Sequence, residues 1–144
     1  MTFNEDFARG FIGLLGNPHA IGEVFQIMSD ESLTWNQIYK AVADALGVPF
    51  KPYYISSTYL NDIAPKEYDI EGNLIGDKAA SVVFDCAKLK RAVPGYQATT
   101  RFEEGVRNCI DYILAHPEYQ EEDPEFDAWC DKVINALEEV KKQF

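Results

Sequence analysis

The sequence predicts an α/β fold: a small sheet of short strands flanked by helices, with an amphipathic helix at the C-terminus. Two observations carry this prediction. Three short apolar runs, at 23–28, 52–56 and 81–84, have the length and β-branched or aromatic content of strands. Between and after them, apolar residues recur at helical spacing behind recognisable caps.

From Asn4 to about Leu15, Phe7, Phe11, Leu14 and Leu15 share one helical face, and Asn17-Pro18 ends the run. Glu23 to Met28 reads as a strand. Thr34 and Gln37 fit a capping box, opening a helix whose stripe is Trp35, Ile38, Val42, Ala45 and Leu46 and whose stop is Gly47. Pro52 to Ser56 reads as a strand at an edge or at its start, because proline cannot donate to a ladder. Residues 57–80 are the least regular, with a short helix near Tyr59 to Ile63. Ser81 to Phe84 is the third strand. Asp85 caps a helix through Lys88 to Ala92, which Pro94-Gly95 halts.

Thr100 and Glu103 fit a second capping box. Phe102, Val106, Ile110, Ile113 and Leu114 form the buried stripe that follows, ending near His116-Pro117. Asp123-Pro124-Glu125 combines an N-cap, a proline at the first helical position and an acid favoured by the helix dipole. The seam behind it is Phe126, Trp129, Val133, Leu137 and Val140. Residues 1–117 therefore read as one lobe, and 118–144 as an acidic linker and helix packed on that lobe.

The 144-residue chain has 24 acidic and 13 basic residues, a net charge of −11. Such a surface repels phosphate backbones and anionic lipid, so neither nucleic acid nor membrane is expected as a partner. The charge is uneven: 118–139 holds nine acids and only Lys132 as a base. Residues 78–107 are locally basic, through Lys78, Lys88, Lys90, Arg91, Arg101 and Arg107. A solvated face and an anion site both fit that segment. Cys86, Cys109 and Cys130 are odd in number with no CxxC pair, and no leader or spanning run is present. A reduced cytoplasmic protein is the expectation. His19 reads as a turn residue and His116 as a helix-end cation, with no zinc-ligand spacing around either.

Gly10, Gly13 and Gly16 match a glycine-rich dinucleotide pattern, with Asp30 20 residues past Gly10. The mechanism behind that pattern needs a strand before the first glycine and a helix after the last. Here a polar, helical segment precedes Gly10 and a turn follows Gly16, so the glycines read as packing positions. No tyrosine has a lysine four residues on, and neither histidine lies in a nucleophile-elbow context. No catalytic residue is assigned.

Three stretches taken together carry a resemblance. They are TFNEDFARGFIGLLGN, with Asp6; AIGEVFQIMSDESLTWNQIYKAVADALG; and GDKAASVVFDCAKLKRAVPGYQATTRFEEGVRNCIDYI, with Asp77, Asp85, Lys88, Glu104 and Gly105. Over about residues 2–117 the chain resembles the C-terminal half of the NAD-dependent epimerase/dehydratase family, the extended short-chain dehydrogenases. Phe3 stands where that family often has histidine. Leu74 and Asn73 stand near the position of its diphosphate-gripping arginine.

The resemblance implies a substrate-binding lobe for a nucleotide-sugar-type molecule, catalytically incomplete without an N-terminal Rossmann half. Asp77, Lys78 and Arg101 are the candidate substrate-binding residues, the two bases supplying positive charge. NAD(P) is implied for the complete enzyme but not for this chain alone. The implied partners are the missing cofactor half, or a second copy meeting exposed apolar faces; a subunit docking to a separate cofactor-binding chain is the alternative. A non-enzymatic interaction module stays open beside these readings.

Overall fold

The computed structural model describes residues 1–144. Its elements follow the local signals closely at most helix ends. The Thr34 Oγ1 accepts the N–H of Gln37 at 3.3 Å while Gln37 Oε1 accepts the N–H of Thr34 at 2.8 Å, closing the capping box. Six α-helices result: α1 (Asn4–Leu14), α2 (Trp35–Leu46), α3 (Ser57–Ile63), α4 (Ala87–Ala92), α5 (Phe102–Ala115) and α6 (Pro124–Lys141). Single 3₁₀ turns lie at Pro18–Ala20 and Pro117–Tyr119, and a π-type helical segment spans Glu71–Lys78. Gly47 ends α2 in the left-handed conformation, at φ 70°. Asp123 caps α6 by accepting the Phe126 N–H at 3.0 Å, ahead of Pro124.

The α/β prediction is overturned. Helix accounts for 58% of the chain and no residue lies in a strand. All three predicted strands, 23–28, 52–56 and 81–84, are irregular. A strand persists only where a neighbour takes its N–H and C=O groups, and no two of these segments form a ladder. Side chains anchor the first run instead: Thr2 Oγ1 accepts the Ser29 N–H at 2.9 Å, and Cys86 Sγ donates to the Met28 carbonyl at 3.4 Å. Short apolar runs carry no periodicity that separates a strand from an apolar loop. Val24 and Val83 are each 78% exposed while Ile27 is buried, so the apolar side chains of these runs divide between solvent and core without forming a strand.

The core is small and sits under α1. Leu89 of α4 is fully buried, with Ile27 and Tyr96 beside it and Leu14, Phe25 and Val93 packed around them. Gly10 and Gly13 lie inside α1 and face this core. A Cβ at Gly10 would stand 2.7 Å from Ile27 Cγ2 and 2.9 Å from the Tyr96 ring, and one at Gly13 would overlap Val93. Their role is close approach between a helix and its neighbours. Elsewhere α2 packs on α5, and α3 on the π-type segment. The amphipathic α6 lies along residues 53–74, where Phe126 meets Tyr68 edge to face at 5.0 Å.

Burial is thin. The chain exposes 10965 Å², whereas a compact monomer of its 16.3 kDa exposes about 7,500 Å². Large apolar side chains on several faces, among them Phe11, Leu15, Ile21, Val82 and Tyr54, meet solvent. No helix is long and apolar enough to cross a membrane.

Candidate functional site

Asp6 organises the site from beneath. Its carboxylate is fully buried at the start of α1, reaching across to the segment before α5. Oδ1 accepts the Thr99 N–H at 3.1 Å, Oδ2 accepts the Thr100 N–H at 3.0 Å, and the Arg9 guanidinium pairs with Oδ1. Arg9 also donates to Thr99 Oγ1 at 2.8 Å. Desolvation pushes the Asp6 pKa up. The N–H groups of Thr99 and Thr100, the Thr100 hydroxyl and Arg9 outweigh it, so the carboxyl stays below its ordinary range. This network fixes the loop that presents Arg101.

Glu31 fixes the loop from the other side. Its Oε2 accepts the Phe102 N–H at 2.8 Å and its Oε1 lies 3.4 Å from the Arg101 guanidinium. The expected Thr100–Glu103 capping box does not form: α5 has Arg101 as N-cap without a side-chain cap bond. Thr100 is already committed to Asp6, and the Glu31 carboxylate takes the helix N-terminus in its place, where negative charge is favoured. Asp85 does act near its expected place, accepting the Ala87 N–H at 2.7 Å at the start of α4.

A polar cavity of about 300 Å³ opens between these two supports, lined by Ser29 to Glu31 on one wall and Gln97 to Arg101 on the other. Thr100 and Arg101 divide it from a second cavity of about 360 Å³, which runs past Phe3, Phe102, Gly105 and Cys109. Charge in the first cavity is compensated. Asp30 pairs with Lys90 at 2.7 Å, a hydrogen bond that raises the lysine pKa, and Glu31 pairs with Arg101. The arrangement offers hydroxyls, an amide, two carboxylates and one guanidinium. It can bind and orient a polyhydroxylated molecule.

The sequence candidates separate in space. Arg101 lies at the dividing wall, 71% exposed along its side chain. Asp77 and Lys78 sit on the π-type segment and line neither cavity. The Lys78 ammonium is held within that segment, 3.0 Å from Asp77 Oδ2 and 3.1 Å from the Asn73 carbonyl. Sequence reasoning missed Ser29, Asp30, Glu31 and Thr99. The signal available for them was the polar SDES run that closes an apolar segment.

Other reactive side chains lie apart. His19 forms part of a 3₁₀ turn, and His116 Nδ1 lies 2.6 Å from the Tyr112 carbonyl at the end of α5. The three cysteines are free, and no three His, Cys, Asp or Glu side chains cluster as metal donors.

No family model and no solved structure matches the chain. It is similar to a 2'-dehydrokanamycin reductase from Streptomyces kanamyceticus, being 29% identical over 93 residues. That similarity covers 65% of this chain and 25% of the reductase. The chain thus spans about a quarter of the relative it matches. The likeness is to an oxidoreductase.

Proposed function

We propose that this chain is the substrate-binding part of an NAD(P)-dependent oxidoreductase, acting on a nucleotide-sugar-type molecule and completed by an N-terminal cofactor-binding half. The observation that carries the reading is the polar cavity beside Arg101, held rigid by Asp6 and Glu31, in a chain similar to a reductase. Ser29, Gln97 and Thr99 are suited to orient sugar hydroxyls. Arg101 donates to an anionic group, for which bidentate recognition of phosphate is its common use.

The chain's own residues do not fit the cofactor. Gly10 and Gly13 are packed inside α1 against Ile27, Tyr96 and Val93, so they form no phosphate cradle, and no step through NAD(P) is assigned to them. The surface supports a covering partner. Its excess over a compact monomer is roughly 3,500 Å², well above the roughly 800 Å² that a standard interface covers on one partner.

A second reading has a specific support. Asp30 lines the cavity while its partner Lys90 does not, so a ligand ammonium that takes the place of Lys90 meets that carboxylate. A molecule such as the 2'-dehydrokanamycin in the relative's name is then the natural comparison. Calorimetry of the 144-residue chain against a uridine-diphosphate sugar and against kanamycin tests both. Saturable nucleotide-sugar binding that Arg101→Ala weakens supports the first reading. Kanamycin binding that Asp30→Asn weakens supports the second, and binding of neither overturns both.

A further inference from the structure

A third cavity, larger than these two, lies away from Arg101. It has a volume of about 700 Å³, with α6 as one wall and residues 53–60 and 67–74 as the other. This size falls in the usual small-molecule range of about 300–1,000 Å³. The α6 wall is the seam that the sequence marks for burial, with Trp129, Val133 and Leu137 at its centre. Yet no residue of α6 is buried. The seam therefore faces a cavity instead of a closed core, and a ligand body of matching length would take its apolar surface out of water.

The polar part of the lining is one-sided. Glu67, Asp69 and Asn73 are its only polar members, all on the 67–74 wall. Asp69 and Asn73 serve their own turn, Oδ1 of Asp69 accepting the Gly72 N–H at 2.9 Å and Asn73 Nδ2 donating to the Asp69 carbonyl at 2.7 Å. Charge at this end is acidic, since Asp123, Glu67 and Glu125 act together on Tyr68, raising its pKa after desolvation has done so. Aromatic faces accompany the acids, with Tyr68 lying 6.0 Å from Trp129. At the opposite end of the α6 wall the protein already seats an ammonium on an aromatic face. Lys141 Nζ stands 4.8 Å over the Tyr53 ring and 2.8 Å from Glu138 Oε1. Aromatic faces and carboxylates together favour an organic cation.

We propose that this cavity binds an amphiphilic organic cation, its apolar body along the α6 seam and its ammonium at the acidic, aromatic rim. A carboxylate of the same length meets repulsion from the rim, and a neutral alcohol gains only the apolar contact. The site is independent of the Arg101 cavity, and its failure leaves the reading of that cavity untouched.

The test uses the full chain carrying Trp35→Phe, which leaves Trp129 as the one tryptophan reporter. Decylammonium, decanol and decanoate are titrated below their micelle concentrations, following Trp129 emission. The expected result is saturable binding of decylammonium at least ten-fold tighter than decanoate, with decanol between them. Raising salt or introducing Glu67→Gln narrows that preference. Val133→Phe, which narrows the cavity at the middle of the seam, weakens binding while circular dichroism shows α-helix retained. If that variant unfolds, the headgroup order and salt dependence of the parent chain decide alone. Absence of saturable binding, or equal binding of all three headgroups, overturns the proposal. So does sedimentation showing a dimer whose formation Val133→Phe abolishes, because a second copy would then fill the groove.

Discussion

The carboxylate of Asp6 in the first turn of α1 accepts the backbone N–H of Thr100 at 3.0 Å, 94 positions along the chain and one residue before Arg101. Two backbone donors and a guanidinium converge on a side chain with no solvent contact. Removing it strands those donors in a buried place. Asp6→Ala should therefore cost about 3 kcal/mol, the cost typical of breaking a buried, hydrogen-bonded charge. Urea denaturation followed by circular dichroism measures this, and a loss below about 0.5 kcal/mol would deny Asp6 its role.

The same carboxylate sets an acid limit. Its folded pKa lies below the ordinary 3.8, so its contribution is fully present above the unfolded pKa and is lost as pH falls through the folded one. Stability should be flat with respect to this group near neutrality and fall below about pH 4. Asp6→Asn should flatten that acid limb; a limb unchanged in the variant would assign it to other carboxylates.

Glu31 caps α5 from 71 residues away through the Phe102 N–H. Glu31→Ala should cost about 1 kcal/mol, as loss of a helix cap does. It should also loosen Arg101, since the same carboxylate holds the guanidinium. Amide hydrogen exchange of Phe102 and Glu103 reports the first effect, with faster exchange expected. Unchanged protection would show that α5 needs no such cap.

Gly10→Ala sets helix propensity against packing. Alanine gains up to about 1 kcal/mol inside a helix, but its Cβ would stand 2.7 Å from Ile27. Overpacking costs typically about 1–3 kcal/mol, so net destabilisation of about 1 kcal/mol is expected by thermal melting. A stabilised variant would show that α1 is free to move away from the core.

Tyr96 buries its hydroxyl without a hydrogen-bond partner in the protein. Tyr96→Phe keeps the ring and removes the unpaired group, so stability should hold or rise by about 1 kcal/mol. A clear loss in chemical denaturation would mean that the hydroxyl makes a contact through ordered water.

Helix ends that depend on neighbouring residues were legible in the sequence. Thr34 with Gln37, Gly47, and Asp123 with Pro124 all act where their types and spacing place them, because each cap is a local event. The packing role of Gly10 and Gly13 was also legible, from the helical pattern around them. Pairing across the chain was not. The runs at 23–28, 52–56 and 81–84 have strand composition, but a strand also needs an adjacent ladder, which no local pattern reports. Thr100 and Glu103 have capping-box spacing, yet a competing partner, Asp6, claims Thr100 from far away. The site divides in the same manner. Arg101 stands at a cavity wall, whereas Asp77 and Lys78 hold each other on a separate segment.

The Arg101 cavity is tested most directly by calorimetric titration of a uridine-diphosphate sugar into the 144-residue chain and its Arg101→Ala and Lys78→Ala variants. The account predicts saturable binding that Arg101→Ala weakens at least ten-fold and Lys78→Ala leaves within two-fold, with no heat of binding from NADH. Equal affinity in the Arg101→Ala variant, or saturable NADH binding to the chain alone, would contradict it.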